Sequence, residues 1–183
     1  EKDLPHITMK LILLLKKMEQ LNVADEEGNT PLHLAIKNGQ INVAMKLIEV
    51  SPDQLNILNN YGNKLLHLAI KKNQTDIAMK LIECLKALPE QLNIRDGFRG
   101  ETPLHCAIRK GQTEVAMKLI EYLKASPDQL SVLDADERTA LLLAIHKDQT
   151  DIAMKLIECL KELPEQFNVQ DENGYTPLHL AIK

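Results

Sequence analysis

Apolar positions in this chain fall into short blocks with the spacing of a helix face. Leu32, Ala35 and Ile36 stand at i, i+3 and i+4, and a second block follows with Val43, Leu47 and Val50 at i, i+4 and i+7. Thr30-Pro31 opens the first block: Thr supplies a capping oxygen and Pro fits the first helical position. Gly39 ends it, with Asn73, Gly111 and Asp148 at the matching places further on. The second block closes at Ser51-Pro52-Asp53-Gln54, where Pro ends the longer helix and opens one short helical turn. An extended Leu-Asn-Val or Leu-Asn-Ile piece and a polar turn, such as 25–28 or 171–174, complete the pattern.

The same unit returns along the whole chain. Thr30-Pro31-Leu32-His33-Leu34-Ala35-Ile36 recurs at 64–70, 102–108, 139–145 and 176–182, in steps of 34, 38, 37 and 37 residues. Ala-Met-Lys-Leu-Ile-Glu begins at Ala44, Ala78, Ala116 and Ala153. One such helix pair cannot bury both of its faces alone, so stacked neighbours must supply a continuous core, which predicts a solenoid. With its Thr-Pro-Leu-His-Leu-Ala motif, its period and its closing Asp-x-x-Gly turn, the sequence resembles ankyrin repeats.

The resemblance implies an all-α solenoid of stacked helix-turn-helix units with β-turn or hairpin fingers. It implies a single domain over 1–183. Residues 1–29 supply the second helix and finger of a partial repeat; 30–63, 64–101, 102–138 and 139–175 are full repeats; 176–183 starts a further one. A chain that opens inside a second helix and closes inside a first one reads as a fragment of a longer protein.

Three departures from the pattern carry structural expectations. Three units hold three extra residues after the second helix, nearly one helical turn, so that helix is expected to run a turn longer through Cys84-Leu85-Lys86 and its equivalents. Glu137 stands where other fingers have Gly, and a side chain there makes a left-handed turn costly, so this finger is expected to adopt another conformation. The same repeat has Ala140 for Pro and Leu142 for His and is the most degenerate.

Composition narrows the function. The net charge is −4 and the pI about 5.9, which argues against nucleic acid as partner, and no apolar run approaches the ~20 residues of a membrane helix. The start of the chain does not read as a signal peptide. Cys84, Cys106 and Cys159 form no metal or disulfide spacing and fit reduced thiols in an intracellular, cytoplasmic compartment, the host cytoplasm in the case of a bacterial effector. His33, His67, His105 and His179 share one repeat position. Stacked about 10 Å apart, they cannot all reach ~2.1 Å from one zinc. The resemblance gives this His a structural role, tying each turn to its neighbour. Cys106 beside His105 falls at a core position, so no nucleophile and base pair forms. No catalytic residue, cofactor or metal is expected.

What the scaffold leaves free is the candidate binding surface. In the family the fingers and the first helices are commonly used for protein contacts. Tyr61, Phe98 and Tyr175 lie on or beside fingers, Arg95 and Arg99 flank Phe98, and aromatic and Arg residues are favoured interface anchors. Other fingers are acidic: Asp25, Glu26 and Glu27, then Asp134, Asp136 and Glu137, then Asp171 and Glu172. Lys37, Lys71, Lys72, Arg109, Lys110 and Lys147 recur at the ends of first helices and are expected to form a basic row that steers an acidic peptide. The expected function is a non-catalytic module, monomeric, binding a protein or peptide partner. The alternative is the recruiting arm of a larger enzyme or secreted effector.

Overall fold

A computed structural model describes residues 4–18, 20–62 and 64–183, and is all-α as the repeat implies. The helices are α1 (Leu4–Lys17), α2 (Pro31–Lys37), α3 (Ile41–Val50), α4 (Leu65–Lys71), α5 (Thr75–Leu85), α6 (Pro89–Leu92), α7 (Pro103–Arg109), α8 (Thr113–Leu123), α9 (Ala140–His146), α10 (Thr150–Leu160) and α11 (Pro177–Ile182). Short 3₁₀ turns follow α3, α8 and α10 at Pro52–Asn56, Pro127–Ser131 and Pro164–Asn168. Leu-Asn therefore lies inside the short turn opened by Pro, and only the residue after it is extended, Ile57 at ψ 135° and Val132 at ψ 136°. The chain divides into two compact units, 1–84 and 85–183.

In the first unit α2 packs on α3 and on α4, and α1 packs on α3. In the second, α7 packs on α8 and α9 on α10, while α9 also meets α7 and α11, and α10 meets α8. α2, α7 and α9 thus each bury one side against their own long helix and another against the next short helix. Leu32, Ile36, Leu65 and Ile70 in the first unit, and Leu104, Ile108, Leu119 and Ile120 in the second, are at most 1 % exposed. Full burial of such a side chain is worth about 1.5–3 kcal/mol, so these layers supply most of the stability.

The start of each short helix is fixed by its cap. Thr30, Thr102 and Thr176 accept the backbone N–H of His33, His105 and His179, and each Thr side chain also meets its His Nδ1, at 2.9, 2.8 and 2.7 Å. Thr139 keeps its half of the cap with Leu142 in place of His, accepting the Leu142 N–H at 3.3 Å. Lys64 holds the equivalent place in α4, makes no side-chain cap and is only 5 % exposed. Burial pushes its ammonium below the ordinary lysine range.

Two expectations are corrected. Glu137 does adopt the left-handed turn, at φ 58°, and its N–H donates to the Asp134 carbonyl at 3.2 Å, as Gly174 N–H does to Asp171 at 2.8 Å. The hydrogen bonds made by Asp134 hold the turn and outweigh the side chain's preference. The inserted residues do not add a whole turn of helix. They add Leu85, Leu123 and Leu160, each at most 4 % exposed, and Lys86 lies in the turn that follows. The apolar residue joins the core and the polar ones leave the helix.

Lys64→Thr restores the missing cap and removes a buried amine. The expected outcome is a gain of about 1 kcal/mol in chemical denaturation, whereas Thr102→Ala loses a similar amount.

Candidate functional site

Four of the fingers are built on one acidic side chain at the base, and the finger at 59–62 on an amide. Asp25 Oδ1 accepts the backbone N–H of Glu27 and Asn29 at 2.9 and 2.8 Å. Asp134 accepts those of Asp136 and Arg138, both at 3.0 Å, and Asp171 those of Asn173 and Tyr175, both at 2.9 Å. Asp96 does the same across a finger one residue longer, accepting from Arg99 at 2.9 Å and Glu101 at 3.1 Å. In the finger at 59–62, Asn59 takes the role, accepting Tyr61 N–H at 3.1 Å. Several residues read from sequence as an acidic surface are therefore frame. Asp134 is 3 % exposed and Asp96 is 5 %. The recurrence of Asp at the first position of the other four fingers is the signal that could have revealed this.

Neighbouring fingers are tied through the backbone. Asn60 N–H donates to the Glu27 carbonyl at 3.0 Å, and the Asn60 side chain reaches Glu26 O at 2.9 Å. Gly28 packs so close to Asn60 that a Cβ there would stand 2.5 Å from its side-chain oxygen, and φ is +76°, so this turn admits only glycine without strain. In the second unit Ala135 N–H donates to Arg99 O at 2.9 Å.

These tips carry the candidate anchors. Tyr61 is 62 % exposed, Phe98 82 % and Tyr175 36 %. Arg95 and Arg99 are exposed, and Arg95 Nε donates to Gly100 O at 2.9 Å, bracing its own finger. Tyr175 is partly engaged within the chain, with Lys183 Nζ 4.7 Å from its ring centre and His179 edge-on at 6.4 Å. Tyr61 lies in the first unit, and Phe98, Arg99 and Tyr175 in the second.

The basic row is thinner than the sequence implies. Lys72, Lys110 and Lys147 are exposed, Lys71 is half-buried, and Lys37 pairs with Glu27 at 3.2 Å on open surface. Arg109 is not a free surface cation. Its side chain is 25 % exposed, bonds Glu101 through Nε and lies 3.5 Å from Asp134. Buried carboxylates need a counter-charge; Arg109 supplies it to Glu101, and Arg138, 2.9 Å away, supplies it to Asp134.

This buried network in the second unit is what sequence reasoning missed. Asp96, Glu101 and Cys106 bring their potential ligand atoms within 4.8 Å of one another. The acceptors are engaged by protein donors: Cys106 thiol on Glu101 at 3.2 Å, Arg109 on Glu101, and backbone N–H groups on Asp96. Beside them His105 Nδ1 accepts Thr102 N–H at 3.4 Å, so its Nε2 carries the proton and donates to Arg138 O at 3.0 Å, tying one repeat to the next. Burial lowers the His105 pKa, against the opposing fields of Asp134 and Glu101 and the Arg138 carbonyl. Burial also pushes the Asp134 carboxyl up, but Arg138, through backbone N–H and guanidinium, overcomes this and holds it below the usual carboxylate value.

A family model for ankyrin repeats (3 copies) matches residues 6–96, 54–130, 79–159 and 118–183. Comparison with curated proteins returns no match. Among solved structures, a chain of the Bd0816 predatory endopeptidase from Bdellovibrio bacteriovorus in complex with immunity protein Bd3460 aligns with a TM-score of 0.71. It is 23 % identical, over 95 % of this chain and 84 % of that one. EF0377, an ankyrin repeat protein, aligns with a TM-score of 0.69 and 25 % identity over 96 % of this chain and 85 % of that one.

Arg109→Ala takes the guanidinium away from buried Glu101, while Asp134 keeps Arg138 at 2.9 Å, and is expected to cost roughly 3 kcal/mol in denaturation, whereas Lys110→Ala leaves stability unchanged. The depressed His105 pKa favours the neutral ring in the folded state, while the unfolded chain takes up its proton near the ordinary value of 6.5. Its stabilising contribution is complete above about pH 6.5 and is lost as pH falls toward the folded-state pKa. Melting temperature followed downward from neutral pH should show this loss, and His105→Leu, which copies Leu142, should flatten it.

Proposed function

The chain belongs to the ankyrin-repeat family, and from that premise we propose that it grips one protein or peptide partner with its finger tips. The observation that carries this reading is Phe98. A side chain 82 % exposed sits on a finger whose backbone is pinned by Asp96 and by the bond from Ala135 to Arg99 O. A large aromatic held out on a rigid tip loses little freedom on binding, which is the property of an interface anchor. Arg99 and Arg95 beside it supply planar cations for carboxylates of the partner. Tyr61 and Tyr175 are secondary anchors. Lys72, Lys110 and Lys147, with Lys71 and Lys37, favour an acidic partner and act mainly on the association rate.

The reading is of a binding module without chemistry of its own, and nucleic acid is not the partner proposed. No helix of the described residues is long and apolar enough to cross a membrane. The three thiols are unbridged, Cys84 exposed, Cys159 half-buried and Cys106 buried, which favours a reducing intracellular compartment.

Phe98→Ala with Arg99→Ala, and separately Tyr61→Ala, test the assignment. Immobilised parent and variant proteins are exposed to the same cell lysate, and retained proteins are identified by mass spectrometry. The double variant should lose a protein that the parent retains, by about 2 kcal/mol or more in a follow-up titration, with its melting temperature unchanged. Equal retention by parent and variants would move the site away from the fingers.

A further inference from the structure

The tetrapeptide Ser-Pro-Asp-Gln occurs twice, at 51–54 and 126–129, each time one repeat after an Asn at a matching position, Asn22 or Asn93. The two copies are wired differently. In the second unit Asn93 Nδ2 donates to the Gln129 carbonyl at 2.6 Å and to Gln129 Oε1 at 3.1 Å. In the first unit Asn22 is turned to other partners: its Nδ2 donates to Asp53, and its Oδ1 faces Ser51 Oγ at 3.1 Å. Gln54 is fully buried, and neither its Nε2 nor its Oε1 has a hydrogen-bond partner among the described residues. A buried amide left so is costly. The repeat assigns it a partner, Asn22, which is engaged elsewhere.

The set that engages Asn22 is itself short of a proton. Ser51 Oγ lies 2.6 Å from Asp53 Oδ1 and 3.1 Å from Asn22 Oδ1. Both are acceptors, and a hydroxyl has one proton to give. Asp53 is exposed, and the Ser51 hydroxyl, helped by Asn22, holds its carboxyl below the ordinary value against slight desolvation.

These three residues line a cleft of about 410 Å³ in the first unit, with Lys16, Leu21 and Val50 as its other walls. The repeat that forms it is the short one. From Ile48 to Leu55 is seven residues, against ten in the three later repeats, whose extra residues bring Leu85, Leu123 and Leu160 into the core. This repeat has no such leucine. The cleft therefore offers a carboxylate, an ammonium, a hydroxyl between two acceptors, and two apolar side chains.

We propose that this cleft, apart from the finger tips, binds a small zwitterion: a free α-amino acid with an aliphatic side chain. Its ammonium donates to Asp53 and Ser51 and supplies the proton that this set lacks. Its carboxylate pairs with Lys16, and its side chain lies on Leu21 and Val50. Asn22, released by the ammonium, turns to Gln54 and makes the pair that Asn93 makes with Gln129. Binding thus completes both the Ser51 set and Gln54.

NMR of the ¹⁵N-labelled chain tests this, because the side-chain amides of Asn22 and Gln54 report the exchange and those of Asn93 and Gln129 are built-in controls. Titration with L-valine or L-leucine should move the Asn22 and Gln54 signals along a saturable curve and leave the Asn93 and Gln129 signals in place. Isobutylamine, which is valine without its carboxylate, and isovalerate, which is valine without its ammonium, each lose one charged contact. Each should bind at least about tenfold more weakly than valine. Asp53→Asn and Lys16→Ala, both at exposed positions, should each weaken valine binding by a similar factor with the backbone spectrum otherwise unchanged. Asp128→Asn, at the matching place in the second unit, should leave it intact. No saturable shift with millimolar valine or leucine overturns the proposal. So do shifts of equal size at Asn93 and Gln129, or an affinity that is the same for valine and its two one-charge analogues.

Discussion

Burial of apolar surface on two sides of every helix is the constraint on which the rest of this structure depends. A short helix of seven residues, such as α2 or α7, has too few intrahelical hydrogen bonds to persist alone in water. It is stable because it packs on the long helix of its own repeat and on the next short helix. The Leu-Ile pair of the long helix is the matching half of the arrangement. In α3, α5 and α8 the pairs Leu47-Ile48, Leu81-Ile82 and Leu119-Ile120 are at most 2 % exposed. Repetition is a physical requirement here, because each unit leaves a face that only another unit of the same pattern completes.

A second layer of organisation is polar and serves the fingers. In four fingers one carboxylate at the base gathers two backbone N–H groups, which closes the turn whether the left-handed residue is Gly174 or Glu137. The Thr–His cap then starts the following helix, and His105 extends the connection to the next finger through Arg138 O. Around it the second unit buries Asp96, Glu101 and Asp134 with Arg109 and Arg138 as counter-charges. Such a network is costly to break, since removing one cation strands a buried carboxylate. The result is a finger whose backbone is rigid while Phe98 at its tip is free to meet a partner.

Much of this was legible in the residues. The helix starts, the turns at Gly39 and Asp148 and the core positions follow from local rules that act within three or four residues, whereas the tie from His105 to Arg138 O was implied by the family resemblance alone. The candidate surface was legible in part. Phe98 and Tyr61 are exposed as their lack of a scaffold duty suggests. Arg109 was not legible, because it looks like Lys110 in sequence, and only folding brings Glu101 and Asp134 to its side. Asp134 reads as a surface acid for the same reason: its hydrogen-bond partners are backbone groups that no side-chain pattern displays.

The sequence by itself determined the repeat, its helical class and the places where the short helices begin, because capping, proline and apolar spacing are encoded locally. Tertiary structure alone decided which charged residues serve the frame and which remain available, and how Glu137 is carried in a glycine's place. These outcomes depend on what stands across the contact, on desolvation and on the count of hydrogen bonds at a point in space. Residues 25 or more positions apart, such as Arg109 and Asp134, acquire their roles only when the chain has closed around them.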